Sequence, residues 1–256
     1  MAAALVPAAI RKQGYVTVAM DATYPPDEMT AANGTTIIGM DADMQYAISD
    51  VLGIKSHLIN ATFDTILPGL LAGRYDEGNS SFTVTAAREK QVNFVTYFQA
   101  GEAFYVNASS TLKLNGLSSL CGLKVSVEEG TTEESDAQNT EKTCKAAGKK
   151  PDTVLPFDTQ NDANVAVSNG RADVGFADSQ VAAYIVHQSH GRFKLDGAAI
   201  EVAPYGFAFP KGSTLDKATL AAVKILMKDG IYLKILDLWG VQPGEISNPT
   251  INPMVS

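Results

Sequence analysis

The chain has 256 residues and a formal net charge of −8, from 20 basic and 28 acidic side chains. This length is large for one domain of the commonest size and suits two domains of roughly 100–150 residues each. Apolar residues make up 45% of the chain, which is ordinary for a globular protein with a buried core. The acidic balance, without a lysine or arginine stripe, argues against a nucleic-acid-binding surface. No segment reaches the roughly 20 apolar residues of a membrane-spanning helix.

Strand-like and helix-like patterns alternate from the start of the chain. A strand is predicted at residues 15–19, followed by a turn-rich segment. Behind Asp41, apolar residues recur at helical spacing until Gly53 ends the helix. A short strand at 56–59 precedes a helix that we expect Asp64 to cap and Gly73 to end.

The rest of the chain continues this alternation, with predicted strands at 92–98, 104–106, 123–127, 153–157 and 174–177, and predicted helices at 132–147, 163–167, 179–187 and 215–239. The pattern indicates an α/β fold with mainly parallel sheets. The segments 100–103 and 203–206 are typical of crossovers between two lobes, with Gly101 and Gly206 suited to a hinge. We therefore expect lobe one to comprise residues 1–102 and 206–256, and lobe two residues 103–205.

Two cysteines, Cys121 and Cys144, are too few for a disulfide scaffold and lack companions at zinc-site spacing. From the residues alone, two free buried thiols are the simplest interpretation. A disulfide becomes the better interpretation in an oxidising compartment. We expect no metal site and no cofactor.

Short motifs along nearly the whole chain carry a resemblance to one family. They are Tyr24-Pro25-Pro26, Gly39-Met40-Asp41-Ala42-Asp43, Phe63-Asp64-Thr65-Ile66-Leu67-Pro68-Gly69-Leu70, Gly73-Arg74-Tyr75-Asp76, Thr83-Val84-Thr85-Ala86-Ala87-Arg88-Glu89-Lys90, Gly130-Thr131-Thr132, Gly170-Arg171-Ala172-Asp173, Ala177-Asp178-Ser179, Tyr232-Leu233-Lys234-Ile235-Leu236 and Trp239-Gly240-Val241. In this order the chain resembles the polar amino-acid solute-binding proteins of bacterial ABC importers.

The resemblance implies a two-lobed periplasmic-binding-protein type II fold of family 3. Each lobe would be a mainly parallel sheet flanked by helices, and two hinge strands would join the lobes. The implied function is to capture a free polar or basic amino acid between the lobes and deliver it to the membrane permease of an ABC importer. The implied protein is not an enzyme, is a monomer and works in the periplasm or outside the cell, attached to the surface in a single-membrane bacterium. In an exported chain, Cys121 and Cys144 should form a disulfide.

The resemblance assigns Arg88 to the ligand's carboxylate, which a planar bidentate donor suits. Without it, Arg88 is a solvated arginine in a charged turn. Backbone groups at Ser81 and Thr83 would meet the ligand's charged ends, and a turn satisfying its own backbone is the alternative. Thr131 and Thr132, with the free amides at a helix start, would form a second carboxylate contact. The alternative for them is an ordinary helix cap.

By the same resemblance, Asp178 at a strand end pairs with the ligand's ammonium, and helix N-capping is its rival role. Tyr24 and Phe63 would form aromatic walls around the ligand's side chain, although such residues are usually core. Asp21 would face a positive side chain or cap its own turn. We therefore expect a basic or polar ligand, with arginine, lysine, ornithine or glutamine bound ahead of leucine or glutamate.

Glu77 departs from the family pattern, which has an apolar residue there. It would extend the acidity of the pocket, set specificity or be an engineered change. It is also the candidate acid for the main alternative function, a dehydratase of a prephenate-like substrate on the same fold. A second alternative is the ligand-sensing domain of a receptor.

Overall fold

The structure is a computed structural model that describes residues 2–253. Twelve strands are present in this part of the chain: β1 Tyr15–Met20, β2 Thr23–Tyr24, β3 Glu28–Thr30, β4 Ile37–Ile38, β5 Lys55–Asn60, β6 Glu77–Gly78, β7 Val92–Asn107, β8 Lys124–Glu128, β9 Thr153–Phe157, β10 Val174–Asp178, β11 Phe193–Leu195 and β12 Ile200–Pro210. The same residues form nine α-helices: α1 Ala8–Gln13, α2 Met40–Leu52, α3 Phe63–Leu71, α4 Ala86–Glu89, α5 Thr132–Ala146, α6 Gln160–Ser168, α7 Ser179–Gln188, α8 Leu215–Lys228 and α9 Ile231–Trp239.

The chain divides into two compact units. Unit 1 comprises the described residues up to Ala22, Pro26–Gln99 and the described residues from Ala203 onward. Unit 2 comprises Thr23–Pro25 and Ala100–Val202. The chain therefore changes unit within β7 and within β12, near the two crossings expected at 102/103 and 205/206. The assignment of Thr23–Pro25 to unit 2 was not anticipated, and the hinge role of the crossings stays a prediction.

Unit 1 contains strands in the order β5-β1-β6-β12. β5 and β6 are parallel to β1, and β12 is antiparallel to β6. Helix α3 packs on β1 and β6, whereas α2 packs on β5 and against α8 and α9. An apolar cluster that includes Phe63, Ile66, Phe82 and Phe94 fills the α3 side of this sheet.

Unit 2 contains strands in the order β7-β10-β8-β9, with β11 also paired to β7. β8 is parallel to β9 and β10, and β7 is antiparallel to β10 and β11. One apolar cluster joins Tyr24 and Tyr105 to α6 and α7, and a second joins Phe104 and Phe176 to α5. Both units therefore confirm the α/β fold with mainly parallel strands.

The predicted disulfide is present. Cys144 lies in α5, which packs on the turn Leu117–Leu120 that directly precedes Cys121. The two sulfurs are bonded, with 5.7 Å between the Cα atoms.

Three predicted elements differ from the structure. The predicted strands 92–98 and 104–106 are one continuous strand, β7, in which Glu102 and Ala103 of the intervening segment pair with β10. The predicted helix 215–239 is two helices, broken at Gly230, whose φ of 73° lies in the left-handed region. Asp64 does not cap α3; it lies within the first turn, and Thr62 occupies the cap position.

The two hinge glycines have a packing role within their units. A Cβ atom at Gly101 would lie 2.7 Å from the Ile200 carbonyl oxygen. One at Gly206 would lie 2.9 Å from Phe94 and Val84 side-chain atoms. Neither glycine has a positive φ, so close approach of neighbouring atoms explains both without a requirement for unusual backbone rotation.

In the described residues, no helix combines the length and apolar character needed to cross a membrane.

Candidate functional site

Arg88 is held in unit 1 above two aromatic rings. It lies in α4, whose first turn is capped by the Thr85 hydroxyl, which accepts from the Arg88 amide at 3.2 Å. The guanidinium Nη1 donates to the Thr83 carbonyl at 2.7 Å, and Cζ lies 5.4 Å from the Phe63 ring centroid. These contacts orient a planar donor group rather than leaving it as a solvated surface charge.

Phe63, Asp21 and Thr83 lie with Arg88 in unit 1. The Phe63 ring stacks on Phe82 at 4.7 Å and is largely buried. The Phe63 amide donates to Asp21 Oδ2 at 3.0 Å, so Asp21 supports the start of α3. Thr83 forms an isolated antiparallel bridge with Tyr205. The structure thus brings together four of the predicted residues.

Ser81 belongs to a buried cluster of acids that the sequence analysis did not identify. Its amide donates to Asp41 Oδ2 at 2.8 Å, so this N–H does not face a ligand as expected. Its hydroxyl lies 3.0 Å from Asp27 Oδ2, 3.3 Å from Glu28 Oε2 and 3.2 Å from Asp41 Oδ2. Ser81 has a φ of 48°, which is uncommon for a residue with a side chain and is stabilised by these bonds.

Burial governs the protonation of this cluster. It raises the pKa of Asp41 to about 6, although hydrogen bonds from Tyr97 and Ser81 lower it. The pKa of Glu28 is raised by burial and then by the charges of Asp41 and Asp27. Because like charges this close repel, the ionisation of one carboxyl group in the cluster raises the pKa of its neighbours. The two adjacent acids after Pro26 were the available sequence signal, but their meeting with Asp41 depends on the fold.

Glu77 and Phe63 lie on opposite faces of the unit 1 sheet. The expectation that Glu77 adds acidity to a pocket beside Phe63 is therefore wrong. Its neighbour Gly78 faces Ile66 of α3, and side chains alternate along a strand. Glu77 therefore points to the opposite face, where Gln45 of α2 donates to its Oε2 at 3.3 Å. It is buried, and burial raises its pKa to about 8. Glu77 belongs to the packed interior of unit 1.

Asp178 is fixed in unit 2 by Tyr24. The Tyr24 hydroxyl donates to Asp178 Oδ2 at 2.8 Å and accepts from the Asp178 amide at 3.1 Å. Asp178 occupies the N-cap position of α7 but makes no side-chain capping bond, so the capping alternative is wrong. Tyr24 is buried in an apolar cluster, where it positions Asp178. Burial, followed by the charges of Asp178, Glu133 and Glu128, raises the pKa of its hydroxyl.

Thr131 and Thr132 start α5 in the same unit. Thr131 caps the helix: its hydroxyl accepts from the Glu134 amide at 3.2 Å and lies 2.8 Å from the Glu128 carbonyl. The Gly130 amide donates to Glu134 Oε2 at 2.8 Å, so this N–H is occupied by the chain's own carboxylate rather than open for an anion. Thr132 is half-buried, and its hydroxyl lies 3.3 Å from Glu133 Oε2.

Comparison with known proteins identifies relatives over nearly the whole chain. The arginine-binding protein ArgT of Corynebacterium glutamicum is 34% identical over 250 residues, covering 97% of this chain and 82% of that protein. The solved structure of an ancestral arginine-binding protein bound to arginine matches with a TM-score of 0.81 at 35% identity, covering 88% of this chain and 98% of that one. An ancestral amino acid-binding protein, a precursor of cyclohexadienyl dehydratase, matches with a TM-score of 0.81 at 31% identity, covering 90% and 97%.

The family model of the bacterial extracellular solute-binding proteins, family 3, matches residues 16–242. This range contains every residue that the sequence analysis placed at the ligand site. The match and the relatives confirm both the expected family and the two-lobed α/β fold. The chain belongs to the bacterial extracellular solute-binding proteins, family 3.

Proposed function

We propose that this protein binds a free basic or polar amino acid outside the cytoplasm and delivers it to the membrane permease of an ABC importer. Arginine is the first ligand to test, because the relative from Corynebacterium glutamicum is named as an arginine-binding protein. The proposed location is the periplasm or the cell exterior, in line with the description of the family as extracellular. The proposed working form is a monomer.

The observation that carries the proposal is the placement of Arg88. Its guanidinium uses one nitrogen on the Thr83 carbonyl and lies over Phe63. A guanidinium fixed in this way can present a planar edge to a carboxylate in two parallel hydrogen bonds. Free amino acids all carry that carboxylate, so Arg88 supports the class of ligand rather than its side chain.

The complementary group is Asp178 in unit 2. A carboxylate held by a tyrosine hydroxyl is a suitable acceptor for the ammonium of an amino acid. Two acids, Glu133 and Glu128, lie near Tyr24. They favour a cationic ligand over an acidic one because like charges repel. We therefore propose arginine, ornithine, lysine and glutamine ahead of leucine, with glutamate and aspartate disfavoured.

The dehydratase alternative loses its candidate acid. Glu77 contacts Gln45 on the α2 side of the unit 1 sheet, opposite the face that holds Phe63. The relatives compared above are named as binding proteins. We therefore propose binding without turnover.

Calorimetry on ligand-stripped protein tests the proposal. The protein is unfolded in guanidinium, dialysed to remove any bound amino acid and refolded with its disulfide intact. A saturating ligand at a hundred times its Kd should stabilise the folded state by about 2.7 kcal/mol. We expect arginine to raise the unfolding temperature more than leucine. Aspartate or glutamate as the tightest ligand would contradict the basic assignment, and turnover of a prephenate-like acid would contradict the non-enzymatic one.

A further inference from the structure

Glu102 lies beside Asp178 in unit 2 and has no role in the site described above. The antiparallel register of β7 and β10 pairs these two residues directly. Directly opposed residues project their side chains on the same face, with Cβ atoms about 4.5–5.5 Å apart. Glu102 is 4% exposed and Asp178 is 5% exposed. Two nearly buried carboxyl groups therefore lie side by side at the end of the strand pair.

The surroundings of Glu102 are acidic on each packed element. Asp178 approaches from β10, and Glu133 and Asp136 approach from α5. Asp136 is hydrogen-bonded to Glu102 and faces Glu201 of β12. Burial first, and then the charges of Glu133, Asp136 and Asp178, raise the pKa of Glu102 to about 10, while a hydrogen bond with Thr132 lowers it. Glu102 therefore carries a proton at neutral pH.

One oxygen of Glu102 has unused hydrogen-bonding capacity. Within the described residues, Oε2 is buried and has no hydrogen-bond partner. Leaving a buried polar atom unsatisfied costs about 1–3 kcal/mol. An unsatisfied Oε2 does not stabilise the fold, whereas a hydrogen-bond donor on a ligand would satisfy this oxygen. Because acids surround this oxygen, a cationic N–H donor suits it.

The geometry points to Glu102 as a second carboxylate acceptor, next to Asp178, for the ammonium group of the amino-acid ligand. This inference rests on the proposed function. A primary ammonium has three N–H donors, of which Asp178 can take one and Glu102 another. On binding, the Glu102 O–H bond breaks, its proton passes to the buffer, and an ammonium N–H donates to the carboxylate that remains.

This arrangement links ligand affinity to pH. The ammonium favours the ionised form of Glu102, so the pKa of Glu102 is lower in the complex than in the ligand-free protein. Between these two pKa values, binding releases a proton, and affinity rises with pH by up to about tenfold per pH unit. The rise ends where the ligand's own α-ammonium loses its proton, at roughly pH 8–9, which is below the pKa of about 10 of Glu102 in the ligand-free protein.

The test uses the full disulfide-bonded chain and three proteins: the wild type, Glu102→Gln and Glu201→Gln. Glu201 is an exposed acid near the same cluster and serves as the matched control. Calorimetric titration with L-arginine at pH 8, in two buffers of different ionisation enthalpy, gives the number of protons released. We expect up to one proton from the wild type and from Glu201→Gln, and none from Glu102→Gln. The affinity of Glu102→Gln at pH 8 should be about tenfold lower than that of the wild type.

The outcomes separate this inference from the proposed function. If the wild type binds arginine without releasing a proton, or if Glu102→Gln shows the wild-type pH profile, the inference is overturned and the proposed function stands. If the wild type binds no amino acid, both are overturned. Glu102→Gln should fold, because an amide preserves the shape of the side chain without a charge to bury. Should it not fold, the proton release of the wild type alone decides the result.

Discussion

The Tyr24 hydroxyl and the Asp178 carboxylate form a buried hydrogen bond of 2.8 Å, reinforced by the Asp178 amide donating to the same hydroxyl. This pair joins residues far apart in sequence and holds an Asp178 side chain that makes no capping hydrogen bond to α7. The tyrosine that the resemblance assigned to a ligand wall thus positions Asp178, the residue that we propose to bind the ligand's ammonium. A substitution of Tyr24 should therefore alter the position of the Asp178 side chain.

We expect Tyr24→Phe to fold and to bind the ligand more weakly. The change removes the donor to Asp178 and leaves a buried acceptor with one bond fewer, which costs about 1–3 kcal/mol. Tyr105→Phe is the matched control, because that buried hydroxyl bonds Gln160 and Asn164 instead. Both variants should lose stability in urea denaturation, whereas Tyr24→Phe alone should lose affinity in calorimetry. Equal ligand affinities in the two variants would show that the Tyr24 hydroxyl does not contribute to ligand binding.

Arg88→Ala should lose ligand affinity by roughly 2–5 kcal/mol while retaining its fold, since the arginine's proposed partner is the ligand. Arg88→Lys should recover part of the loss, because an ammonium keeps the charge without the planar pair of donors. Arg171→Ala provides a control, since that guanidinium also lies over a phenylalanine, 5.1 Å from the Phe157 centroid in unit 2. Wild-type affinity in Arg88→Ala would exclude it from the site.

The sequence predicted most strands and helices because their signals are local. The helix behind Asp41 shows this: apolar spacing defines it, and Gly53 ends it with a φ of 67°. The single strand β7 was missed because the Ala100–Ala103 segment contains a glycine and a glutamate, which have weak strand preference. Pairing of Glu102 and Ala103 with β10 overrides that preference for the second half of the segment.

Site residues were harder to predict where their role depends on distant parts of the chain. Arg88 could be assigned from its motif, whereas Glu102 looked like part of a crossover. Its position opposite Asp178 follows from strand register, and its raised pKa follows first from burial and then from the charges of three acids on β10 and α5. Glu77 was misplaced for the same reason, because nothing local shows which face of β6 meets α2.

Removing the disulfide should destabilise unit 2 without unfolding the chain. Cys121 and Cys144 are 23 residues apart, and closing a loop of this size stabilises a protein by about 3 kcal/mol in the chain-entropy estimate. The double variant Cys121→Ala/Cys144→Ala should therefore unfold at lower urea concentration. Mass spectrometry after alkylation of the native protein checks the bond itself. Two alkylated thiols in protein made by export would count against both the disulfide and the proposed location.

Glu77→Gln should stabilise the protein, and the gain should grow with pH. The pKa of Glu77 is about 8 in the folded state, against 4.5 for an ordinary glutamate. Between these values the unfolded chain is ionised and the folded chain holds a proton, so wild-type stability falls as pH rises from about 4.5 to about 8 and then levels. Glutamine has no proton to lose, and its oxygen can still accept from Gln45.

At pH 8 we expect Glu77→Gln to exceed the wild type by about 1–3 kcal/mol, the usual cost of a buried unsatisfied polar group. At about pH 3.5 the two should be close, because that lies below both pKa values and the wild-type side chain is then mostly neutral in both states. Urea denaturation at both pH values measures the difference, with Glu245→Gln as an exposed control that should show neither effect. A gain that is equal at both pH values would mean that the titration of Glu77 does not cause it. A loss of stability at pH 8 would show that the ionised carboxylate has a stabilising partner in unit 1.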